Sequence, residues 1–229
     1  MNSRTLTALG CAIALSPVLG HAATVSPTFV ADIFDSSDPP EGTQVFKADL
    51  TGLGLTEVAA ITLTDSNSGI GGSPGIYSGF DLDAVFLDAD GDLATDDDRY
   101  FATSFMFSAG TLRPGGTVPP SPSGGPTNGS SSATTVDEGF ATLDVFDADW
   151  FGPGSLTLGD GGSLIAAFAS SIAIGPSMFL FVGEVSGDPG EGLAASIEVS
   201  DIPPAVPLPA TGILLVGALG LMGLRRRRG

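Results

Sequence analysis

One cysteine and one histidine are all that this chain contains, and both, Cys11 and His21, lie within its first 23 residues. Beyond that stretch there is neither. Disulfide stapling, zinc sites of the usual Cys and His type and haem ligation by these residues are thereby excluded for residues 24–229. Ser-His-Asp and Cys-His catalysis are excluded with them. Lysine is equally scarce: Lys47 is the only one, no serine motif stands beside it, and no Gly-rich phosphate loop ends in Lys-Ser or Lys-Thr. Between Asp32 and Asp201 stand 26 acidic residues against Lys47, Arg99 and Arg113, a balance of −23. A chain this acidic repels nucleic acid and anionic lipid, so no nucleic-acid partner is expected. It suits solubility outside a cell, where counterions screen the self-repulsion. Apolar residues still make up 42% of the chain, enough to build a core.

Both ends depart from this acidic composition. Arg4, an apolar run over residues 6–19 and a small-residue exit at Gly20-His21-Ala22-Ala23 stand in the order of a secretory signal peptide, assigned to residues 1–23. The run is too short to span a membrane and is interrupted by Pro17. At the other end, Val206-Pro207-Leu208-Pro209-Ala210 is followed by an apolar run over residues 211–224 and then by Arg225, Arg226, Arg227 and Arg228. The two prolines fix φ and remove two backbone donors, so a helix starts only after them and the motif stays extended. The fourteen apolar residues rise roughly 21 Å, short of the roughly 30 Å hydrocarbon layer. Counted from Ala205, twenty uncharged residues precede the arginines, enough to cross with some bilayer thinning. Four arginines suit a cytoplasmic membrane face, which puts residues 24–205 outside.

Motif, apolar helix and arginine run together resemble the VPLPA subtype of the PEP-CTERM sorting signals, which exosortase-type membrane proteases read and cleave in Gram-negative bacteria. The resemblance covers Val206 to Arg228, and the sorting segment is assigned to residues 205–229. It implies a single-pass precursor in the inner membrane, handled by the export machinery and then trimmed by the protease as the chain reaches the cell surface or medium. About the remaining domain it implies little.

Residues 24–204 present short apolar and β-branched runs separated by Gly, Pro and Asp turns, with strands expected at 28–34, 43–50, 58–64, 79–87, 100–108, 140–146, 164–174, 178–185 and 194–199. Alternation is clearest over 100–108, where Phe101, Thr103, Phe105 and Phe107 share one face. The fold class is therefore all-β, a single β-sandwich or jelly-roll-like domain. Residues 114–135, rich in Gly, Pro, Ser and Thr, are expected as a long mobile loop.

One constellation suggests chemistry. Asp81, Asp83, Asp88, Asp90, Asp92, Asp96, Asp97 and Asp98 place eight carboxylates in eighteen residues. Hard oxygen ligands at this density suit calcium, with Asp88, Asp90 and Asp92 around Gly91 as the sharpest part and Asp81 and Asp83 as further candidates. The loop is not an EF-hand, since counting from Asp88 puts Leu93 and Arg99 where Gly and Glu are required. A solvated acidic turn is the equal alternative. Strand alternation places Phe80, Leu82, Ala84 and Phe86 inward and leaves Asp81 and Asp83 outward. Asp144, Asp147 and Asp149 beside Trp150 and Phe151 form a poorer second group.

No catalytic residue is expected. The leading expectation is a structural or interaction protein of the surface or extracellular matrix. A calcium-dependent carbohydrate-binding module, with extracellular polysaccharide as partner, is the alternative. A glycosidase using two carboxylates is a lesser one.

Overall fold

The computed structural model describes residues 20–34, 42–69, 74–114, 128–147, 154–186, 193 and 195–204. The sorting tail, the leader up to residue 19, and Asp149, Trp150 and Phe151 lie outside the described residues. Within them every regular element is a β-strand, and no helix is long and apolar enough to cross a membrane.

Two antiparallel sheets stack in a sandwich-like arrangement. The first runs in the order β1 (Ala22–Val25), β13 (Ala195–Ser200), β4 (Glu57–Asp65), β11 (Ser163–Ala173) and β7 (Ser104–Ser108). The second runs β10 (Leu156–Thr157), β5 (Asp81–Asp88), β12 (Phe179–Ser186), β3 (Gly42–Asp49) and β2 (Thr28–Phe34), with β6 (Arg99–Phe101) also paired to β5. Ile61, Leu63, Leu164 and Ile197 of the first sheet and Leu82, Val85, Leu180 and Val182 of the second belong to one buried cluster. Each such side chain contributes roughly 1.5–3 kcal/mol by leaving water, which is how the fold manages without disulfides.

The second sheet is buried on its outer face as well. Val45, Ala84, Phe86 and Phe181 form a satellite core there, packed against Leu93, Phe146 and Phe179. The Phe86 ring lies 5.3 Å from Phe146, 5.5 Å from Phe181 and 5.8 Å from Phe101. Burial on two faces makes β5 almost continuously buried where one-sided packing would alternate.

Several expectations are corrected by this two-sided packing. The alternation over 100–108 spans two strands in different sheets: β6 joins the second sheet and β7 the first, so Phe101 packs on the outer face while Phe107 enters the main core. A register shift opposite Val182 and Glu184 breaks the face pattern of β5, so that Leu82 and Val85 face one core and Ala84 and Phe86 the other. Asp83, expected on the solvent side, has no exposed surface, and its carboxylate accepts a hydrogen bond from the Thr43 hydroxyl. Residues 140–146 make turns rather than a strand, and the Leu143 carbonyl accepts from the Val85 N–H at 3.0 Å. The C-terminal part of the expected 114–135 loop holds a small hairpin, β8 (Ser130–Ser132) and β9 (Thr135–Val136); residues 115–127 lie outside the described residues.

Two closures tie the sandwich together. Ala22 and Ala23, read as the leader's exit, lie in β1, which pairs with β13 from Ala22↔Ser200 to Val25↔Ile197. Beyond that ladder the His21 and Asp201 backbones bond to each other's neighbourhood: His21 N–H donates to Asp201 Oδ1 at 2.8 Å and Asp201 N–H to the His21 carbonyl at 3.1 Å. Elsewhere the buried Asp65 carboxylate accepts from the N–H groups of Asn67 (2.7 Å), Gly161 (2.8 Å) and Phe80 (3.0 Å), joining three chain segments.

Candidate metal centre

The acidic loop is the ten-residue connection from β5 to β6, and its ends are fixed by the pairing of Asp88 with Arg99, Leu87 with Tyr100 and Phe86 with Phe101. Aspartates shape it from within by accepting from N–H groups two or three residues ahead, the habit that suits this residue to turns. Asp88 Oδ1 accepts from Asp90 N–H (3.1 Å) and Gly91 N–H (2.5 Å). Asp90 Oδ1 accepts from Asp92 N–H (2.8 Å), and Asp92 Oδ1 from Ala94 N–H (2.9 Å). Gly91 has φ 76°, and a Cβ there would stand 2.7 Å from the Phe179 ring. Glycine at this position meets both the left-handed backbone and the close approach.

The loop is held onto the sheet by the few cations available. Lys47 Nζ donates to the Gly91 carbonyl at 3.3 Å and lies 4.7 Å from the Phe179 ring centroid. Arg99 Nη2 donates to the Leu93 carbonyl at 2.8 Å, with its guanidinium 4.8 Å from the Phe86 centroid. The third cation between Asp32 and Asp201, Arg113, pairs with Asp160 at 2.9 Å. All three basic residues therefore serve internal contacts. Lys47→Met, which keeps the stem and removes the ammonium, is expected to cost about 1–2 kcal/mol through the lost donor and cation–π contact. A lower urea midpoint at unchanged m-value is the measurement; an unshifted midpoint would reduce Lys47 to a packing stem.

Folding brings together Asp88, Asp90 and Asp98, whose ligand oxygens all lie within 4.8 Å of one another. Asp88 is fully buried and Asp90 exposed. Asp88 Oδ2 and Asp98 Oδ1 are buried atoms without a hydrogen-bond partner. Arg99 Nε stands 3.6 Å from Asp88 Oδ2, outside hydrogen-bond reach. Burial pushes the Asp88 carboxyl above the usual carboxylate range; the Gly91 N–H pulls it back in part, and the neighbouring Asp98 charge adds to the rise. A raised carboxyl costs folding free energy once pH exceeds the unfolded value, and the cost is absent below it, where both states are protonated.

Of the five candidates taken from the sequence, only Asp88 and Asp90 meet. Asp92 belongs to the loop but not to this group. Asp83 and Asp81 sit five and seven residues back along β5, roughly 17 and 23 Å away at strand rise. Asp83 Oδ1 accepts from the Asp147 N–H at 3.3 Å and Asp81 pairs with Thr157, so both serve the sheet. Asp147, in the second acidic group, accepts from the Thr142 hydroxyl at 2.7 Å. Asp98 completes the group, and its signal is the strand Arg99–Phe101 directly after it, with the aromatic pair Tyr100-Phe101, which folds back on β5. Compared with protein-family models, with curated proteins and with solved structures, the chain gives no match.

Proposed function

We propose that this is an exported protein of the cell surface or extracellular matrix of a Gram-negative bacterium, with a structural or interaction role and no catalysis of its own. The observation that carries the reading is the ordered C-terminal string: Val206 to Ala210, then an uncharged run, then Arg225 to Arg228. Its partners are the export machinery and an exosortase-type protease, with the inner membrane holding the precursor. The fold is consistent with delivery by both ends. Since β1 pairs with β13, Ala22 lies opposite Ser200, so the first and last strands of the sandwich are neighbours. Five residues separate Ser200 from Val206, a reach of at most roughly 20–22 Å if fully extended.

Mass spectrometry of the protein recovered from the surface and the medium tests this. The expected species begins at Ala23 or Thr24 and lacks Arg225 to Arg228. A start at Ala23 keeps three of the four β1 ladder pairs. Recovery of surface protein still carrying Met1 or the arginine run would overturn the reading.

A further inference from the structure

We propose that Asp88, Asp90 and Asp98 form a calcium site that clamps the loop between β5 and β6. This rests on the geometry of the loop and is independent of the sorting reading. The three carboxylates lie on a closed loop, and their ligand oxygens fall within 4.8 Å of one another. Two oxygens on opposite sides of a calcium ion are separated by roughly 4.6–5.2 Å, twice the usual bond length, so one ion fits among them with little movement.

A second observation points to a ligand. Asp88 has no exposed surface, one oxygen is committed to the Asp90 and Gly91 N–H groups, and the other, Oδ2, has no hydrogen-bond partner. Asp98 Oδ1 is likewise buried and without a partner. Buried carboxylate oxygens without hydrogen bonds, on two acidic side chains this close, are costly in a desolvated place. Arg99 offsets part of this charge, its Nε lying 3.6 Å from Asp88 Oδ2 as an ion pair without a hydrogen bond while its Nη2 donates to the Leu93 carbonyl. Three carboxylates less one guanidinium leave the site negative, and the exposed Asp90 gives an ion an entry from solvent. Water completes the shell on that side. With three carboxylates, the affinity belongs to the range of extracellular modules, on the order of 0.1–1 mM.

Titration calorimetry with calcium chloride on the full-length chain in detergent, at about 0.15 M monovalent salt, is the test. Saturable binding of one ion is expected, with a melting temperature that rises by several degrees in about 10 mM calcium and returns on chelation. Asp98→Asn should weaken binding by roughly tenfold or more, and without calcium it should melt no lower than the parent, since it removes an unpaired charge beside Asp88. Asp92→Asn removes the same charge from the same loop and should change affinity by less than about threefold. Magnesium, which requires a tighter octahedral shell, should stabilise far less. Heats that do not saturate, equal losses in the Asp92 and Asp98 variants, or an equal shift with magnesium would each overturn the site in favour of a diffuse counterion atmosphere.

Discussion

Replacing Pro207 and Pro209 together by alanine is expected to leave a C-terminal tag on the chain and to hold the uncleaved precursor in the inner membrane. On the proposed sorting reading, each proline fixes φ and lacks an N–H, so the pair would keep residues 206–210 out of the expected helix. Alanine is the best helix former, and two of them let the helix extend back toward the domain, removing the extended segment that a protease grips. The sandwich should be unaffected, because β13 ends at Ser200 and is held by β1 and β4. Neutral replacement of Arg225 to Arg228 should fail differently. On the proposed topology it removes the charge that would keep the C-terminus cytoplasmic, so the tail should slip through or insert poorly. Fractionation with an antibody against the domain and one against the tag separates the two outcomes. If the double proline variant lost its tag at the parental rate and reached the surface, the five residues would be no recognition motif and the tail would reduce to a plain anchor.

Asp65→Ala is expected to destabilise the domain by about 3–5 kcal/mol, the largest single polar loss in the fold, because three backbone N–H groups lose a charged acceptor at once. Asn67, Gly161 and Phe80 come from three separate segments, and none has an alternative acceptor built into a regular ladder. The segments also approach too closely for a side chain to fill the space. Gly79 has φ 84°, and a Cβ there would stand 2.6 Å from the Gly159 backbone, so the junction cannot repack by rotating that residue. Asp65→Asn keeps one carbonyl oxygen and should lose less. Urea unfolding of the full-length chain measures both free energies, and thermal unfolding should show a fall in melting temperature of roughly 10 °C or more for the alanine variant. A loss below about 1 kcal/mol for Asp65→Ala would mean that solvent reaches these donors and that the carboxylate is incidental.

Strand positions were legible along most of the chain because a period of two is a local property. The strand read at 28–34 coincides with β2, and those read at 164–174 and 178–185 fall within a residue of β11 and β12. The order of apolar N-terminal run, acidic middle and basic tail, and the lack of Cys and His after His21, are likewise properties of the sequence alone. What alternation cannot report is which sheet a strand joins. The run over 100–108 reads as one strand, yet its two halves pair with β5 and β11 in different sheets, because the partners in one case lie 55 to 63 residues away. Roles of carboxylates were hidden for the same reason. Asp65, Asp83 and Asp98 look alike in sequence: Asp65 becomes a hub for three N–H groups, Asp83 a buried acceptor for Thr43, and Asp98 a neighbour of Asp88. Charge and composition supplied the oxygens. Only the return of β6 onto β5 decided which of them meet, since a carboxylate's surroundings depend on the donors and charges that folding brings to it.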